Sequence, residues 1–339
     1  MTGSVTIDEA LVRQLVEDQF PRFAHLAITA VQPGGWDNRT FRLGEELVVR
    51  LPSAACYAPQ IAREAVVFEH LAGKLPAAIP QRVASGGPGR DYPHGWAINR
   101  WIAGSPAGGA GTIDLAAFAG QCGRFLARLH DLEAGNLLPP GPENFHRGAG
   151  LGTYAPEVEE ALTRLSDERL RARIGQAWSL ALESDHDGVP CWVHGDFYPW
   201  NLLVDGAGTL CGVIDWGLAA TGDPACDLAL GWTCFESGAR KALHAARGPD
   251  PALWDRARGW SLWKAVTLAT GINAGVPADI AHSRAVLQQI ADDPGYSGQP
   301  ARPTSTSATR TLPNGALAAL GGATSMNRCR PSGPPSMQA

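Results

Sequence analysis

The sequence predicts an α+β fold, with a small antiparallel-sheet lobe first and a larger, mainly helical lobe after it. Three observations carry this. Short apolar runs broken by turn residues crowd the first hundred positions. From Leu115 onward, longer runs with apolar side chains every three or four positions dominate. One hairpin pattern, Leu202 to Ile214, interrupts the helical part, and its ends carry Asp196, Asn201 and Asp215.

In order along the chain, Leu11, Val12, Leu15 and Val16 have helical spacing, and Pro21 stops that run. Val31 to Leu43 reads as strand, turn, strand around Gly34-Gly35, and Gly44-Glu45-Glu46 turns the chain into Leu47 to Leu51. Pro59 to Leu75 is helical and presents Glu64 and Glu69. A proline- and glycine-rich connection then holds a short strand near Gln81 to Ala84, and Trp96 to Ile102 forms an apolar strand. After a flexible link from Gly104 to Gly111 comes a helix, Leu115 to Leu132, with His130 as a structural residue near its end. Pro156 to Leu182 is largely helical, and its mixed charges suit a solvated face. Asp223-Pro224 opens a further helix, Asp as cap and Pro at the first position. Trp232, Phe235, Trp254, Trp260 and Trp263 follow on helices as core, with one at most facing a substrate.

The chemistry sits in Trp192-Val193-His194-Gly195-Asp196-Phe197-Tyr198-Pro199-Trp200-Asn201-Leu202-Leu203-Val204, followed by Gly212-Val213-Ile214-Asp215-Trp216-Gly217. Asp196 and Asn201 precede the first strand of the hairpin and Asp215 ends the second, so three oxygen-bearing side chains meet at one rim. Any one of them alone would be read as satisfying a turn backbone. The set suits phosphoryl transfer. A carboxylate must orient or deprotonate an attacking hydroxyl, and oxygen ligands must hold Mg2+ across the phosphates.

His-Gly-Asp, four residues, Asn, then Ile-Asp-Trp-Gly resembles the aminoglycoside phosphotransferase family, a branch of the protein-kinase-like fold. The similarity runs from about Val5 to about Asp293. It implies a two-lobed kinase-like fold, with residues 1–102 as a nucleotide-binding lobe and 103–293 as a catalytic and substrate-binding lobe. It implies ATP (or GTP) and Mg2+ as cofactors, Asp196 as the catalytic carboxylate, and Asn201 and Asp215 as metal ligands. Gly34 and Gly35 would form the phosphate-covering hairpin, because glycine lets backbone N–H groups approach an anion. Arg50 stands where the family carries a phosphate-gripping Lys. It keeps the charge in a planar fork, and Glu64 would brace it. Backbone groups near Arg100, Trp101 and Ile102 would meet the adenine, with the Trp101 ring in the interlobe core. Asp227 would brace the catalytic loop, as would His194, without proton transfer. The activity implied is transfer of the γ-phosphate to a hydroxyl of an aminoglycoside-like antibiotic. A kinase of choline, homoserine or an amino sugar, and a catalytically silent kinase-like binding module, are the alternatives. Clustered Asp residues by themselves also suit a metal-dependent hydrolase.

Composition sets the bounds. The chain has 339 residues, 45% hydrophobic and 18% charged, as soluble globular proteins have. A net charge of −5 gives no general case for nucleic-acid binding. No basic-then-apolar leader and no membrane-spanning run is evident, and seven scattered cysteines fit free thiols in a cytoplasmic protein. Residues 294–339 hold four arginines, no acid and no periodicity, which predicts a disordered tail or a changed reading frame. With 33 acidic and 28 basic residues in all, and four of the basic ones in that tail, the body carries −9, which favours a cationic acceptor. Asp223, Glu236 and Asp255 are candidates to line its cleft. The sequence does not give the oligomeric state.

Overall fold

The computed structural model describes residues 6–293, apart from 33, 36, 136, 185, 187 and 189, together with 309–310. Helix α1 (Glu9–Gln19) starts where Asp8 accepts the Leu11 N–H at 2.9 Å. Strands β1 (Ile28–Ala30), β2 (Asn38–Leu43) and β3 (Leu47–Pro52) lead to helix α2 (Ala58–Leu71), and β4 (Arg82–Gly86) and β5 (Trp96–Arg100) follow. The five strands form one antiparallel sheet in the order β1-β2-β3-β5-β4, with the strands expected near Gln81–Ala84 and Trp96–Ile102 pairing beside β3. The first strand also lies earlier than expected. Pairing ends at Ala30, and the segment that holds Gly34-Gly35 is a connection rather than a tight hairpin.

Period-two alternation in β3 sets the layout of this lobe. Leu47, Val49 and Leu51 join Val12, Leu15, Val16, Phe41, Leu43, Trp96 and Ile98 in one core under α1. Arg50, opposite Thr40 on one side and Ala97 on the other, therefore points to the other face, where α2 lies.

Two short strands, β6 (Ser105–Pro106) and β7 (Ile113–Asp114), lead into helix α3 (Leu115–His130), capped by Asp114. The next helical stretch is two helices, α4 (Ala155–Arg164) and α5 (Glu168–Glu183), divided where Asp167 caps the second. The catalytic region holds β8 (Cys191–Val193), β9 (Leu202–Val204), β10 (Leu210–Val213) and β11 (Ala220–Gly222). Strands β9 and β10 pair antiparallel as the Asp-Gly turn demanded. Helices α6 (Leu230–Thr233), α7 (Ser237–Arg247), α8 (Pro251–Ala269) and α9 (Pro277–Asp292) complete the lobe. The turn after Asp223-Pro224 is 3-10, Pro224–Ala229, with Asp223 as its cap.

Core of this lobe is aromatic. Trp192, Trp216, Trp254, Trp260 and Trp263 are all fully buried, and Phe125 stacks on Phe197 at 5.6 Å. Trp232, Phe235, Trp254, Trp260 and Trp263, read as core, are all buried. Of the cysteines, Cys122, Cys191, Cys211, Cys226 and Cys234 are free, whereas Cys56 is disulfide-bonded, which departs from the expectation of free thiols throughout. The tail falls outside the described residues except for β12 (Thr309–Arg310), which pairs with β7. No described helix is long and apolar enough to cross a membrane.

Candidate active site

A buried carboxylate fixes the catalytic loop. Asp227 accepts the backbone N–H groups of His194 and Gly195, each at 2.8 Å, through its two oxygens. Burial pushes its carboxyl up. Contact with His130, together with the nearby His194 ring and N–H group, more than offsets this and holds it below the usual range. Behind it, Arg247 donates Nε–H into His130 Nδ1 at 3.0 Å, which leaves the imidazole proton on Nε2, facing Asp227 Oδ2 at 3.4 Å. Burial keeps that imidazole below its ordinary pKa and so neutral. His194 accepts the Asp196 N–H on Nδ1 at 3.2 Å, and its Nε2 meets the Ile214 carbonyl at 3.0 Å. Both ring nitrogens are thus used in bracing. Gly195 is required here: its φ is +80°, and a Cβ would fall 2.3 Å from the Leu218 carbonyl oxygen.

Asp196, Asn201 and Asp215 do meet at one rim. Asn201 Nδ2 donates to the Asp196 carbonyl at 3.0 Å and to its Oδ2 at 3.1 Å. Asp196 Oδ1 is buried with no hydrogen-bond partner among the described residues. Ile214 N–H donates to the Asn201 carbonyl at 2.9 Å, which ties the loop to the end of β10. Asp215 then adopts φ +64°, a left-handed conformation uncommon outside glycine, before the turn Trp216–Leu218. That turn aims its carboxylate at the sheet lobe, where Arg50 Nη2 meets Oδ1 at 2.7 Å.

Arg50 is 8% exposed and also pairs with Glu64 at 2.5 Å; Glu64 is fully buried and has Arg82 at 3.5 Å on its other oxygen. Glu69, the other helix acid, is exposed. Burial alone would push the Glu64 carboxyl up, and it does stand above its usual range; Arg50 and Arg82 oppose that. Burial works against the Arg50 charge too, but Glu64 and Asp215 raise its pKa further, so the guanidinium stays charged. One cation thus links helix α2, strand β3 and the second Asp of the hairpin.

Asp37 was not singled out in the sequence, though an acid two residues past Gly-Gly is the available signal. Gln60 Nε2 donates to its Oδ2 at 3.0 Å, and Gln60 lies directly on Gly217, where a Cβ would meet it at 2.8 Å. Burial, then the nearby Asp215 carboxylate, raise Asp37 to about 7, with Asp196 adding to the effect. Gly34 and Gly35 are exposed in the same connection. At the strand leading out of the sheet lobe, the N–H groups of Arg100 and Trp101 are taken by Gln81 and Glu46 carbonyls, both at 2.8 Å. Of the Arg100–Ile102 segment expected to meet adenine, those two N–H groups are therefore already occupied. The Trp101 ring is half-buried under the Arg42 guanidinium at 4.1 Å, on the sheet lobe rather than in the interlobe core. Of the acids read as a possible acceptor wall, Asp223 is buried in a two-point pair with Arg256 at 2.8 and 3.2 Å, and Asp255 lies 3.8 Å from Arg258.

The donor set suits Mg2+ rather than a softer metal. It is oxygen-only, and the Asp215 side chain is 39% exposed. Among the described residues no group of three or more His, Cys, Asp or Glu is placed to hold a metal ion.

The sequence profile of the phosphotransferase enzyme family, APH, matches residues 29–260. The chain belongs to this family. Solved structures agree on the fold. A GDP complex of aminoglycoside 2'-phosphotransferase-IIIa is 19% identical with a TM-score of 0.66, covering 84% of this chain and 99% of that one. The aminoglycoside phosphotransferase APH(4)-Ia, in ternary complex with AMP-PNP and hygromycin B, is 21% identical with a TM-score of 0.58, covering 83% and 98%. The macrolide 2'-phosphotransferase MphH from Brachybacterium faecium is 22% identical with a TM-score of 0.54, covering 85% and 99%. No curated protein matches the chain. This APH-family phosphotransferase therefore has the two-lobed kinase-like α+β fold, with Arg50 where the resemblance places a lysine.

Proposed function

We propose that the protein transfers the γ-phosphate of ATP (or GTP) to a hydroxyl of a small-molecule alcohol, and that an aminoglycoside-like antibiotic is the first acceptor to try. One observation carries the reading: Asp196 with a free buried oxygen, beside Asn201, facing an Asp215–Arg50–Glu64 chain. Asp196 orients the acceptor hydroxyl and accepts its proton. Arg50, held by Glu64, grips the α- and β-phosphates through its fork. Asn201 and Asp215 hold Mg2+, which neutralises charge on the phosphates when bound. The glycine connection at Gly34-Gly35 covers the phosphates, and Ile102 meets the adenine. Lobe limits at residues 102 and 293 follow from the same reading. The body charge of −9 gives weaker support for a cationic acceptor.

The test is a panel of aminoglycosides, macrolides and amino alcohols incubated with labelled ATP or GTP and Mg2+, read by mass spectrometry beside a coupled ADP assay. A phosphorylated acceptor with stoichiometric ADP is the expected result. Free phosphate without acceptor would turn the reading toward hydrolysis. No turnover on any acceptor, with no nucleotide binding, would reject it.

A further inference from the structure

Strand β5 carries a buried amide to the end of the sheet lobe. Cross-strand neighbours share a face of the sheet, so Asn99 stands on the Arg50 side, beside Val48 of β3 and Arg82 of β4. Asn99 is fully buried. Its Oδ1 accepts from Arg82 Nε at 2.7 Å, and Arg82 in turn lies 3.5 Å from Glu64, the brace of Arg50. Asn99 Nδ2 has no hydrogen-bond partner among the described residues. An arginine only donates, so this contact fixes which end of the amide is oxygen and leaves an unpaired N–H donor at the other. A buried donor without an acceptor costs stability, so packing alone gives no reason to keep it.

The neighbours point to what supplies the acceptor. Val48 and Ala97, on the same face, and Leu203 of β9 are buried, yet they belong to neither lobe's apolar core. Leu203 and Ile102 both press on Gly212 of β10, where a Cβ would stand 3.3 and 2.8 Å from them. Apolar side chains of both lobes thus gather around the strand end from Asn99 to Ile102, and such walls suit a flat ring. The purines differ at position 6, where adenine presents an amino donor and guanine a carbonyl acceptor.

Resting on the phosphotransferase reading, we propose that Asn99 is a specificity-determining residue whose Nδ2 donates to position 6 of the purine, which makes GTP the preferred phosphoryl donor. Guanine O6 satisfies the unpaired N–H. Adenine sets its own amino group against that donor and leaves it unsatisfied.

The experiment is isothermal titration of the full chain with the magnesium complexes of GDP, IDP and ADP. The base of IDP keeps the 6-carbonyl of guanine and lacks its 2-amino group. Wild type should bind GDP and IDP alike, each about tenfold or more tighter than ADP. Asn99→Leu keeps the bulk, removes the donor and should bind all three alike. Asn99→Asp keeps an oxygen for Arg82, turns the donor into an acceptor and should bind ADP tightest. A wild type that binds ADP as tightly as GDP, or that binds GDP tightly and IDP only as it binds ADP, overturns the assignment, even where a variant fails to fold. So does a GDP preference that survives in both variants, which would mark an asparagine that only holds Arg82. A wild type that binds none of the three removes the phosphotransferase reading itself.

Discussion

At the scale of residues, three side chains make separable claims. Asp196→Asn should lower kcat by about 10²–10⁴-fold while leaving MgATP affinity near wild type, because only proton acceptance is lost. Unchanged turnover in a folded variant would remove Asp196 from its role. Arg50→Lys keeps charge but not the fork, so ATP affinity should fall in part. Arg50→Ala should fall much further and also melt lower, since it strips Glu64 of its nearest cation and leaves only Arg82 at 3.5 Å; breaking a buried pair costs about 3–5 kcal/mol. Titration of ATP against all three forms checks this. Asp37 gives a pH signature. Its folded pKa of about 7 lies above the ordinary 3.8. The unfolded chain therefore loses this proton first, and the folded state is progressively penalised as pH rises from 4 to 7, with the penalty constant above. Asp37→Asn should raise the melting temperature in EDTA at pH 8 and lose that advantage at pH 4. A gain at both pH values, or none at pH 8, would place the cause elsewhere.

Elements explain why some of this was legible and some was not. Asp196, Asn201 and Asp215 were readable because a single hairpin joins them, and a local turn needs no tertiary information. Of the two helix acids Glu64 was named as the brace for Arg50 from the resemblance, and the helix does bury Glu64 and expose Glu69. The strand β1 was misplaced because a three-residue edge strand leaves almost no periodicity to read. Arg247 acts across elements far apart in the chain, so nothing near it announces a role, and Asp37 had only its place two residues past Gly-Gly, because its partner Gln60 lies on another element. Loop rigidity belongs to this scale as well. Gly195→Ala would force a Cβ to within 2.3 Å of the Leu218 carbonyl at φ +80°, so the loop must shift. Turnover should fall at least about tenfold, a loss that a 1 Å misplacement readily produces, and the protein should melt lower. Wild-type kinetics in this variant would show that the loop has slack.

On the scale of the whole molecule, the lobes are joined through α2 as much as through the strand that connects them. Arg63 donates to the Ala219 carbonyl at 2.9 Å, Gln60 rests on Gly217, and Arg50 reaches Asp215. Nucleotide binding at that seam should therefore be felt on both sides. Under reducing conditions, where no disulfide at Cys56 contributes, removing residues 294–339 takes away, among the described residues, a two-residue ladder with β7, a contribution on the order of 1 kcal/mol. The melting temperature should drop by no more than about 4 °C and turnover should persist, as calorimetry and an ADP assay would show. A larger drop would mean that the tail docks. The distribution of indoles gives the molecule an optical gauge of its own. Trp96, Trp192, Trp216, Trp254, Trp260 and Trp263 are sealed from solvent, while Trp200 and Trp101 are half-buried, Trp101 beneath a guanidinium where the chain leaves the sheet lobe. Iodide, drawn by that positive charge, reaches the Trp101 emission and not the sealed majority. A nucleotide seated against Ile102 would shield that minority component and leave the bright background steady, so lobe closure can be followed by quenching without attaching a dye.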